Sequence, residues 1–336
     1  MIEFLFSPTH LPVVFAVLMG VAILLYVILD GYDLGIGMLI LAAPEAERDR
    51  MVAAIGPFWD ANETWLVLAV GLLLVAFPMA HGIILTALYL PVAAMLVGLI
   101  LRGVAFEFRA KAHGVEKAWW TVAFAGGSLL AALSQGWMLG LYVLGLPSGW
   151  APLAFAALVA VCLAAAYTLI GATWLIVKTE GSLQTRAVGW AKRMLVFALV
   201  GMAAVSLATP LVSPRLFAKW FDWPTVLWLA PIPLAATVAF GLLWRSLQGL
   251  PRANDRGSLT PFLLTAGIFT LGFAGMAYSF FPYVVPERLT LWQAASAPEA
   301  LAIILVGTLV VLPMILGYTA LSYRIFRGKA RDLTYG

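Results

Sequence analysis

The chain has 336 residues, of which 63% are hydrophobic and 11% are charged, and its formal net charge is +4. Soluble globular domains are about 45–50% apolar and about 25% charged, so this composition excludes an ordinary soluble protein. The single cysteine, Cys162, excludes a disulfide within the chain.

Apolar stretches recur along the whole sequence, and nine of them are long enough to cross the hydrocarbon core, which takes about 20 residues. They cover approximately 11–41, 57–77, 83–107, 119–145, 151–177, 194–212, 224–244, 261–281 and 299–322. The segments between them are too short for a separate soluble domain. The sequence therefore predicts one polytopic, all-α membrane domain over residues 1–336, whose helix spacing permits two four-helix bundles plus one extra helix.

The basic residues are distributed unevenly between the two sides of this membrane domain. With the predicted spans, seventeen Lys and Arg residues fall on one side, and only Arg215, Lys219 and Arg288 fall on the other. Cytoplasmic loops carry the excess of Lys and Arg in membrane proteins. We therefore expect the N-terminus outside and the C-terminus in the cytoplasm, and the basic balance needs no nucleic-acid partner to explain it.

The first span ends with two carboxylates, Asp30 and Asp33, inside an otherwise apolar run. Their spacing of three residues places both on one face of a helix. An ionised carboxylate in hydrocarbon costs several kcal/mol, and such groups usually face a bundle interior and serve ions or protons. The pair therefore predicts a role in moving charge within the membrane.

The second and third spans reach the same side of the membrane with further charged residues: Asp60, Glu63, Arg102 and Glu107. We expect these four groups and the two aspartates to approach one another at the inner face, where burial and neighbouring charges would suit them to proton uptake. A structural interpretation is also open, because acids near a helix N-terminus are favoured by the helix dipole. Arg102 could equally serve only to set the topology.

The three histidines, His10, His81 and His113, lie at predicted helix ends or in loops. None is placed to face another from mid-membrane, as a bis-histidine haem requires, and there is no Cys-x-x-Cys-His motif. We therefore expect no haem and no metal site on this chain alone.

Four segments together resemble subunit II of the cytochrome bd quinol oxidases, and the nine-span layout extends the resemblance over the entire chain. The segments are Asp30-Gly-Tyr-Asp-Leu-Gly-Ile-Gly37, Gly56-Pro-Phe-Trp-Asp-Ala-Asn-Glu-Thr-Trp65, Arg102-Gly-Val-Ala-Phe-Glu-Phe-Arg109, and Phe281-Pro-Tyr-Val-Val-Pro286 followed by Leu289-Thr-Leu-Trp-Gln-Ala-Ala-Ser296.

The resemblance implies a subunit of a respiratory complex in the bacterial cytoplasmic membrane that oxidises quinol and reduces O₂ to water. It implies two haem b groups and one haem d, all ligated by a partner, subunit I. Quinol and membrane lipid are the other implied partners, with a small single-span accessory subunit as a further candidate. In some members a quinone also occupies subunit II structurally.

The resemblance also implies a cytoplasmic proton route through this subunit. Its acidic positions correspond to Asp33, Asp60 and Glu107, beside Asp30, with Trp59, Arg102 and Glu63 in support. Two positions depart from the family pattern. Glu107 stands where many relatives have Asp, and Gln293 follows Trp292 where many have an acid. Together with the lack of a long insertion, these departures favour the cyanide-insensitive branch.

Two other functions are compatible with acids in a membrane. A proton-coupled secondary transporter would use them, but transporters usually show internal repeats and helices broken at the midplane. The acids here crowd one face instead, which disfavours that alternative. A purely structural subunit, whose acids only satisfy one another, is the second alternative.

Overall fold

The computed structural model describes residues 7–330, apart from the side chain of Ala253. In this range nine helical spans are long and apolar enough to cross a membrane. The prediction of an all-α membrane protein with nine spans is therefore confirmed. That residues 1–336 form a single domain stays a prediction.

The helices within residues 7–330 are of very different lengths, and short ones lie between the spans. They are α1 (Leu11–Leu39), α2 (Glu45–Ala53), α3 (Trp59–Ala76), α4 (Pro78–Ala87), α5 (Tyr89–Lys111), α6 (Gly114–Val143), α7 (Trp150–Lys178), α8 (Gly181–Val212), α9 (Pro214–Phe221), α10 (Thr225–Leu229), α11 (Pro231–Gln248), α12 (Leu259–Phe280), α13 (Leu291–Ala294) and α14 (Pro298–Ile325). A 3₁₀ turn, Ile40–Ala42, extends α1, and another, Ala253–Asp255, precedes α12.

Two predicted boundaries were wrong, for reasons that the sequence explains afterwards. The third span begins at Tyr89 and not near residue 83, because Pro78 at a first helical position starts a separate helix, α4. The sixth span begins at Gly181 and not at residue 194. Hydropathy marks where a helix enters hydrocarbon, whereas charged residues such as Arg186 continue a helix into water without breaking it.

One small β-hairpin interrupts the helical pattern between α12 and α13, and the sequence analysis missed it. Strand β1 (Tyr283–Val285) pairs antiparallel with β2 (Leu289–Thr290). The turn between them holds Glu287 at a φ of +63°. The hairpin buries Val284 and Val285 against the first residues of α1 and against α4, and so it covers the end of the bundle opposite the acids.

Helix α1 lies at the centre of the membrane domain, in contact with α3, α6, α7, α12 and α14. The later spans α7, α8, α11 and α12 pack in a closed ring, whereas α5 joins the body mainly through α6. The division into two four-helix bundles and an extra helix stays a prediction.

Helices α1 and α7 approach so closely that their backbones touch. A Cβ atom on Gly35 would lie 1.9 Å from the Tyr167 carbonyl oxygen, and one on Gly171 would lie 2.7 Å from the carbonyl carbon of Gly35. Small residues allow this kind of helix contact in membranes, where packing replaces the hydrophobic effect between helices. The contact fixes the depth and rotation of the α1 segment that carries the two aspartates.

Helix α14 is anchored at its C-terminal end, although most of its surface is exposed in this chain. Lys178 Nζ donates to the carbonyl oxygens of Phe326 and Gly328 at 2.6 and 3.0 Å, and the amide of Ala330 donates to the Lys178 carbonyl at 2.7 Å. Lys329 Nζ bonds in return to the Val177 carbonyl at 3.0 Å. These bonds hold the end of α14 against the end of α7.

We expect Gly35→Ala to destabilise the protein, because the added methyl group would collide with backbone and not with a movable side chain. Overpacking in a core typically costs about 1–3 kcal/mol and sometimes more. The thermal unfolding midpoint and the yield in detergent measure the effect. Gly126→Ala is the matched control in α6, since its Cβ would meet nothing within 4 Å; equal behaviour of the two variants would contradict the packing argument.

Candidate functional site

Arg102 of α5 is the centre of a buried ionic cluster near the predicted cytoplasmic face. Its Nη1 donates to Asp30 Oδ1 of α1 at 2.7 Å, and its Nη2 donates to Glu63 Oε1 of α3 in a second close contact. Arg102 and Asp30 are 2% and 0% exposed, whereas Glu63 is 31% exposed. The cluster therefore extends from the interior to the edge of this chain.

Asp33 lies beside this cluster but has a different partner. Asn62 Nδ2 of α3 donates to Asp33 Oδ2 at 2.8 Å, and the carboxylate is 1% exposed. Among the described residues, Asp33 Oδ1 and Asp30 Oδ2 are buried and accept no hydrogen bond. Each aspartate thus keeps one oxygen free inside the protein.

Local sequence explains why these groups meet. In α1 the spacing of three residues puts Asp30 and Asp33 on one face, as predicted. Helix α3 begins at Trp59, so Asn62 and Glu63 occupy its first turns, on the side of the membrane where α1 ends. Arg102 lies just past the middle of α5 and meets them at the same depth.

A small crevice, too narrow to hold a water molecule, lies beside this cluster between α1, α3, α5 and α6. Its walls are formed by one acid, one cation and mostly aromatic or small residues: Asp33, Ile55, Trp59, Arg102, Gly103, Phe106 and Phe124. Trp59 tilts against Phe106 with ring centroids 5.1 Å apart. The predicted supporting residues Trp59 and Arg102 are thus both next to Asp33.

The structure does not bring Glu107 to the cluster, and this part of the predicted convergence was wrong. Glu107 is exposed and makes no hydrogen bond or ion pair to any described residue. Five residues separate it from Arg102, which turns it about 140° away around α5 at 3.6 residues per turn. Asp60 is also exposed, although its charge still acts on Glu63. Whether these two acids serve the route at the surface stays a prediction.

Sequence reasoning missed three side chains that complete the site, namely Asn62, Tyr32 and Tyr323. Asn62 also donates to the Tyr32 hydroxyl at 2.8 Å, and Tyr323 of α14 donates to Asn62 Oδ1 at 3.1 Å. An amide in the first turn of an apolar helix was a usable signal for Asn62. Tyr323 offered none, because it lies 261 positions from its partner.

A second polar chain runs from the cluster towards the middle of the membrane. Tyr26 lies one turn before Asp30 and interacts with it. Gln135 Nε2 of α6 donates to the Tyr26 hydroxyl, and the Tyr167 hydroxyl of α7 donates to Gln135 Oε1, both at 2.7 Å. These bonds tie α1, α6 and α7 together at the depth of the acids.

At the surface next to the site, Asp49 of α2 joins the C-terminal end of α5 to the start of α6. Its carboxylate accepts from Lys117 Nζ at 2.7 Å and pairs with Arg109 Nη2 at 2.8 Å. Partial burial tends to raise the pKa of Asp49, but the hydrogen bond from Lys117 and the charge of Arg109 lower it below its ordinary value. Asp49 is therefore ionised at neutral pH, and its two contacts help to hold the end of α5 in place.

Within residues 7–330, no three side chains among His, Cys, Asp and Glu are grouped so that they could hold a metal ion. His10 precedes the first residue of α1, His81 lies in the short helix α4, and His113 precedes α6. The described acids of the ionic cluster are therefore not arranged as metal ligands.

Comparisons with known proteins agree with this geometry. The family described as cytochrome bd terminal oxidase subunit II matches residues 11–326. Cytochrome bd ubiquinol oxidase subunit 2 of Bacillus subtilis is 29% identical over 335 residues, covering 93% of this chain and 95% of the relative. Cytochrome bd-I ubiquinol oxidase subunit 2 of Escherichia coli K12 is 28% identical, covering 91% of each chain.

A solved structure shares the fold. A chain in the structure of bd oxidase from Geobacillus thermodenitrificans aligns with a TM-score of 0.66 at 10% identity, covering 96% of this chain and 98% of that one. Since the family match extends over nearly the whole described chain, the protein belongs to the family of cytochrome bd terminal oxidase subunit II.

Proposed function

We propose that this chain, as subunit II of a bd-type quinol oxidase, supplies a proton route from the cytoplasm towards the site of O₂ reduction. One observation carries the proposal: two buried aspartates lie beside a buried arginine, and a partly exposed glutamate connects them to the surface. Reduction of O₂ to water consumes one proton for each electron, so such an enzyme needs a path for protons into its interior.

The two aspartates differ in how their charge is compensated. Asp30 pairs directly with Arg102, whereas Asp33 receives a single N–H from Asn62. Burying an ionised carboxylate without a paired cation is costly. A proton taken up by Asp33 would remove that cost, and we assign to Asp33 the central role in the route.

The remaining groups receive roles from their exposure. Glu63 is partly exposed and in contact with Arg102, which suits it to pass protons between the surface and the cluster. Asp60 is exposed at the start of α3 and Glu107 near the end of α5. Both lie on the predicted cytoplasmic side, where they would collect protons. Arg102 keeps the acids together and does not itself release a proton, because guanidinium stays charged in proteins.

We assign the haem groups, two b-type and one d-type, to subunit I, where they supply electron transfer and O₂ chemistry when bound. The histidine positions of this chain support that division, since none lies inside one of the nine spans described. Quinol, membrane lipid, a structural quinone and a small accessory subunit stay predictions from the family resemblance.

The two alternatives are affected differently. A secondary transporter is disfavoured by membership of an oxidase subunit family. A purely structural role has one observation in its favour, namely that Arg102 is already paired with two acids in a compact cluster. The variants below separate that role from proton transfer.

We expect Asp33→Asn to lower quinol oxidase turnover in the assembled complex while leaving the haem content unchanged, because the amide keeps the shape but carries no proton. An indispensable acid–base group contributes about 10²–10⁴-fold, and a second route in subunit I would reduce the loss. The loss should grow towards high pH, where protons are scarce. Glu63→Gln should act in the same direction.

The matched control is Glu116→Gln, which removes an exposed acid at the cytoplasmic start of α6 and should leave turnover unchanged. The double variant Asp33→Asn/Glu107→Gln tests the route from both ends. Full turnover of that variant from about pH 6 to 9, in an intact complex, would eliminate the proton role and leave the structural one.

Arg102→Met should impair assembly, because it leaves Asp30 buried and without a cation. Removing one partner of a buried pair typically costs about 3–5 kcal/mol. Adding Asp30→Asn should restore much of the complex yield and thermal midpoint, since the charge that lost its direct partner is then removed, but it should not restore turnover. Wild-type yield and heat stability for Arg102→Met alone would contradict this account.

The charge distribution also predicts orientation, with the acids at the cytoplasmic side. In a Cys162→Ser background, a membrane-impermeant thiol reagent applied from outside should label Ser148→Cys, in the exposed turn between α6 and α7, and should miss Glu180→Cys between α7 and α8. The opposite pattern would reverse the topology. A reporter after Tyr335 should be cytoplasmic, although that residue, like Arg331, lies outside the described residues.

A further inference from the structure

The side chain of Asn62 stands between Asp33 and a tyrosine of the last span. Its Nδ2 lies 2.8 Å from Asp33 Oδ2 and 2.8 Å from the Tyr32 hydroxyl, and its Oδ1 lies 3.1 Å from the Tyr323 hydroxyl. The two hydroxyls are 2.6 Å apart. Asn62, Tyr32 and Asp33 are at most 1% exposed, so water cannot readily replace any of these bonds.

The donors in this group follow one another around a closed ring. Tyr323 has one hydroxyl hydrogen and donates it to Asn62 Oδ1. In the contact between the two tyrosines the donor is therefore Tyr32, whose oxygen in turn accepts from Asn62 Nδ2. Hydrogen bonds that point the same way around a ring strengthen one another in a low-dielectric interior.

The backbone fixes which end of the amide faces Asp33. Asn62 Nδ2 also lies 3.3 Å from the carbonyl oxygen of Leu29, and a carbonyl can only accept. Placing Oδ1 there instead would set it against the oxygens of both Leu29 and an ionised Asp33. The amide therefore presents an N–H to Asp33, and a hydrogen bond to the charged form of a carboxylate favours that form.

Aromatic packing holds the two hydroxyls in position independently of the ring of hydrogen bonds. Tyr323 packs on Phe58 with centroids 4.6 Å apart, and Tyr32 stacks on Trp174 at 4.5 Å. A Tyr→Phe change keeps these contacts and removes only the hydroxyl. The chain thus offers a clean way to open the ring without a cavity.

We propose that Tyr323 is a positioning residue for Asp33 that acts through Asn62. Its hydroxyl supplies the hydrogen that Asn62 Oδ1 needs, and this strengthens the hydrogen bond from the Asn62 N–H to the carboxylate, so that Asp33 gives up a proton readily. The proposal rests on the proton role of Asp33 argued above.

The consequence of removing that hydroxyl follows from the same accounting. In Tyr323→Phe, Asn62 Oδ1 has no donor in its present orientation. The Leu29 carbonyl still holds the amide in that orientation, but the ring of hydrogen bonds is open, so the N–H of Asn62 is a weaker donor to the Asp33 carboxylate. The variant therefore favours the protonated acid, and Asp33 holds its proton more tightly.

The other groups that act on Asp33 are the same in the wild type and the variant. They are Asp30 on α1, Glu63 on α3 and Arg102 on α5, together with the Tyr32 hydroxyl on α1; only the Tyr323 hydroxyl on α14 is removed. None of the three charged groups is bonded to Tyr323. A change seen in Tyr323→Phe thus reports on the ring and not on a lost ion pair.

The experiment follows the carboxyl C=O band of Asp33 by infrared spectroscopy over a pH series, using the oxidase assembled with subunit I. The band is identified by its loss in Asp33→Asn. We expect Tyr323→Phe and Tyr32→Phe to move the midpoint of the band about one pH unit higher, a tenfold change in proton affinity. The alkaline limb of the turnover profile should move with it.

Two controls decide between positioning and general damage. Tyr318→Phe removes an exposed hydroxyl on the same helix and should leave the band unchanged. In an Asn62→Ala background, Tyr323→Phe should have no further effect, because its influence passes through Asn62. An unchanged midpoint in Tyr323→Phe, or an equal shift in Tyr318→Phe, would overturn the proposal. If Tyr323→Phe fails to assemble, Tyr32→Phe opens the same ring within α1 and decides the matter.

The outcome is separable from the proton role itself. Full turnover in Asp33→Asn would remove that role, whereas the band shift would still show whether Tyr323 positions the carboxyl. Reduced turnover in Asp33→Asn together with an unmoved band in Tyr323→Phe would remove only the positioning role.

Discussion

The pairing of Asp30 with Arg102 is the interaction on which the acid-bearing half of the molecule depends. Both groups are buried, and Arg102 Nη1 lies 2.7 Å from Asp30 Oδ1. Neither group can remain charged at this depth without the other. The pair fixes α5 against α1, and Glu63 fixes α3 to the same guanidinium. Three spans are thus held at one depth by a single side chain, and the uncompensated oxygen of Asp33 has a fixed place beside them.

The opposite requirement, close contact of backbones, determines the other side of α1. Gly35 and Gly171 leave no room for a side chain between α1 and α7, so the acids cannot move away from the arginine by rotation of α1. The hydrogen bonds through Gln135 add polar contacts between α1, α6 and α7. Packing and charge therefore constrain the same helix from two sides, which suits the proton role that we propose for the site.

Much of the fold could be predicted from the sequence, because span number depends on hydropathy and length, which are local properties. The site was predictable in part for the same reason: Asp30 and Asp33 are unusual in their own helix, whatever they contact. The position of Glu107 was mispredicted because it depended on the rotation of α5, which the pattern of apolar residues leaves loosely defined. Asn62 and Tyr323 could not be paired in advance, since their contact joins the second span to the last one.

The hydrogen-bonded ring around Asn62 links the end of the last span to the part of α1 that carries the acids. Most of α14 contacts little within this chain. Its C-terminal end, however, is held by Lys178, and Tyr323 donates a hydrogen bond to Asn62, the partner of Asp33. The remaining contacts of α14 within this chain are too few to fix its position. The Tyr323 hydroxyl must be placed to within a few tenths of an ångström to bond Asn62. The hydrogen bonds at residues 326–330 and the aromatic contact with Phe58 would therefore serve the positioning role that we propose for Tyr323. They keep the distance between the last span and the acid constant while the rest of the helix faces its surroundings.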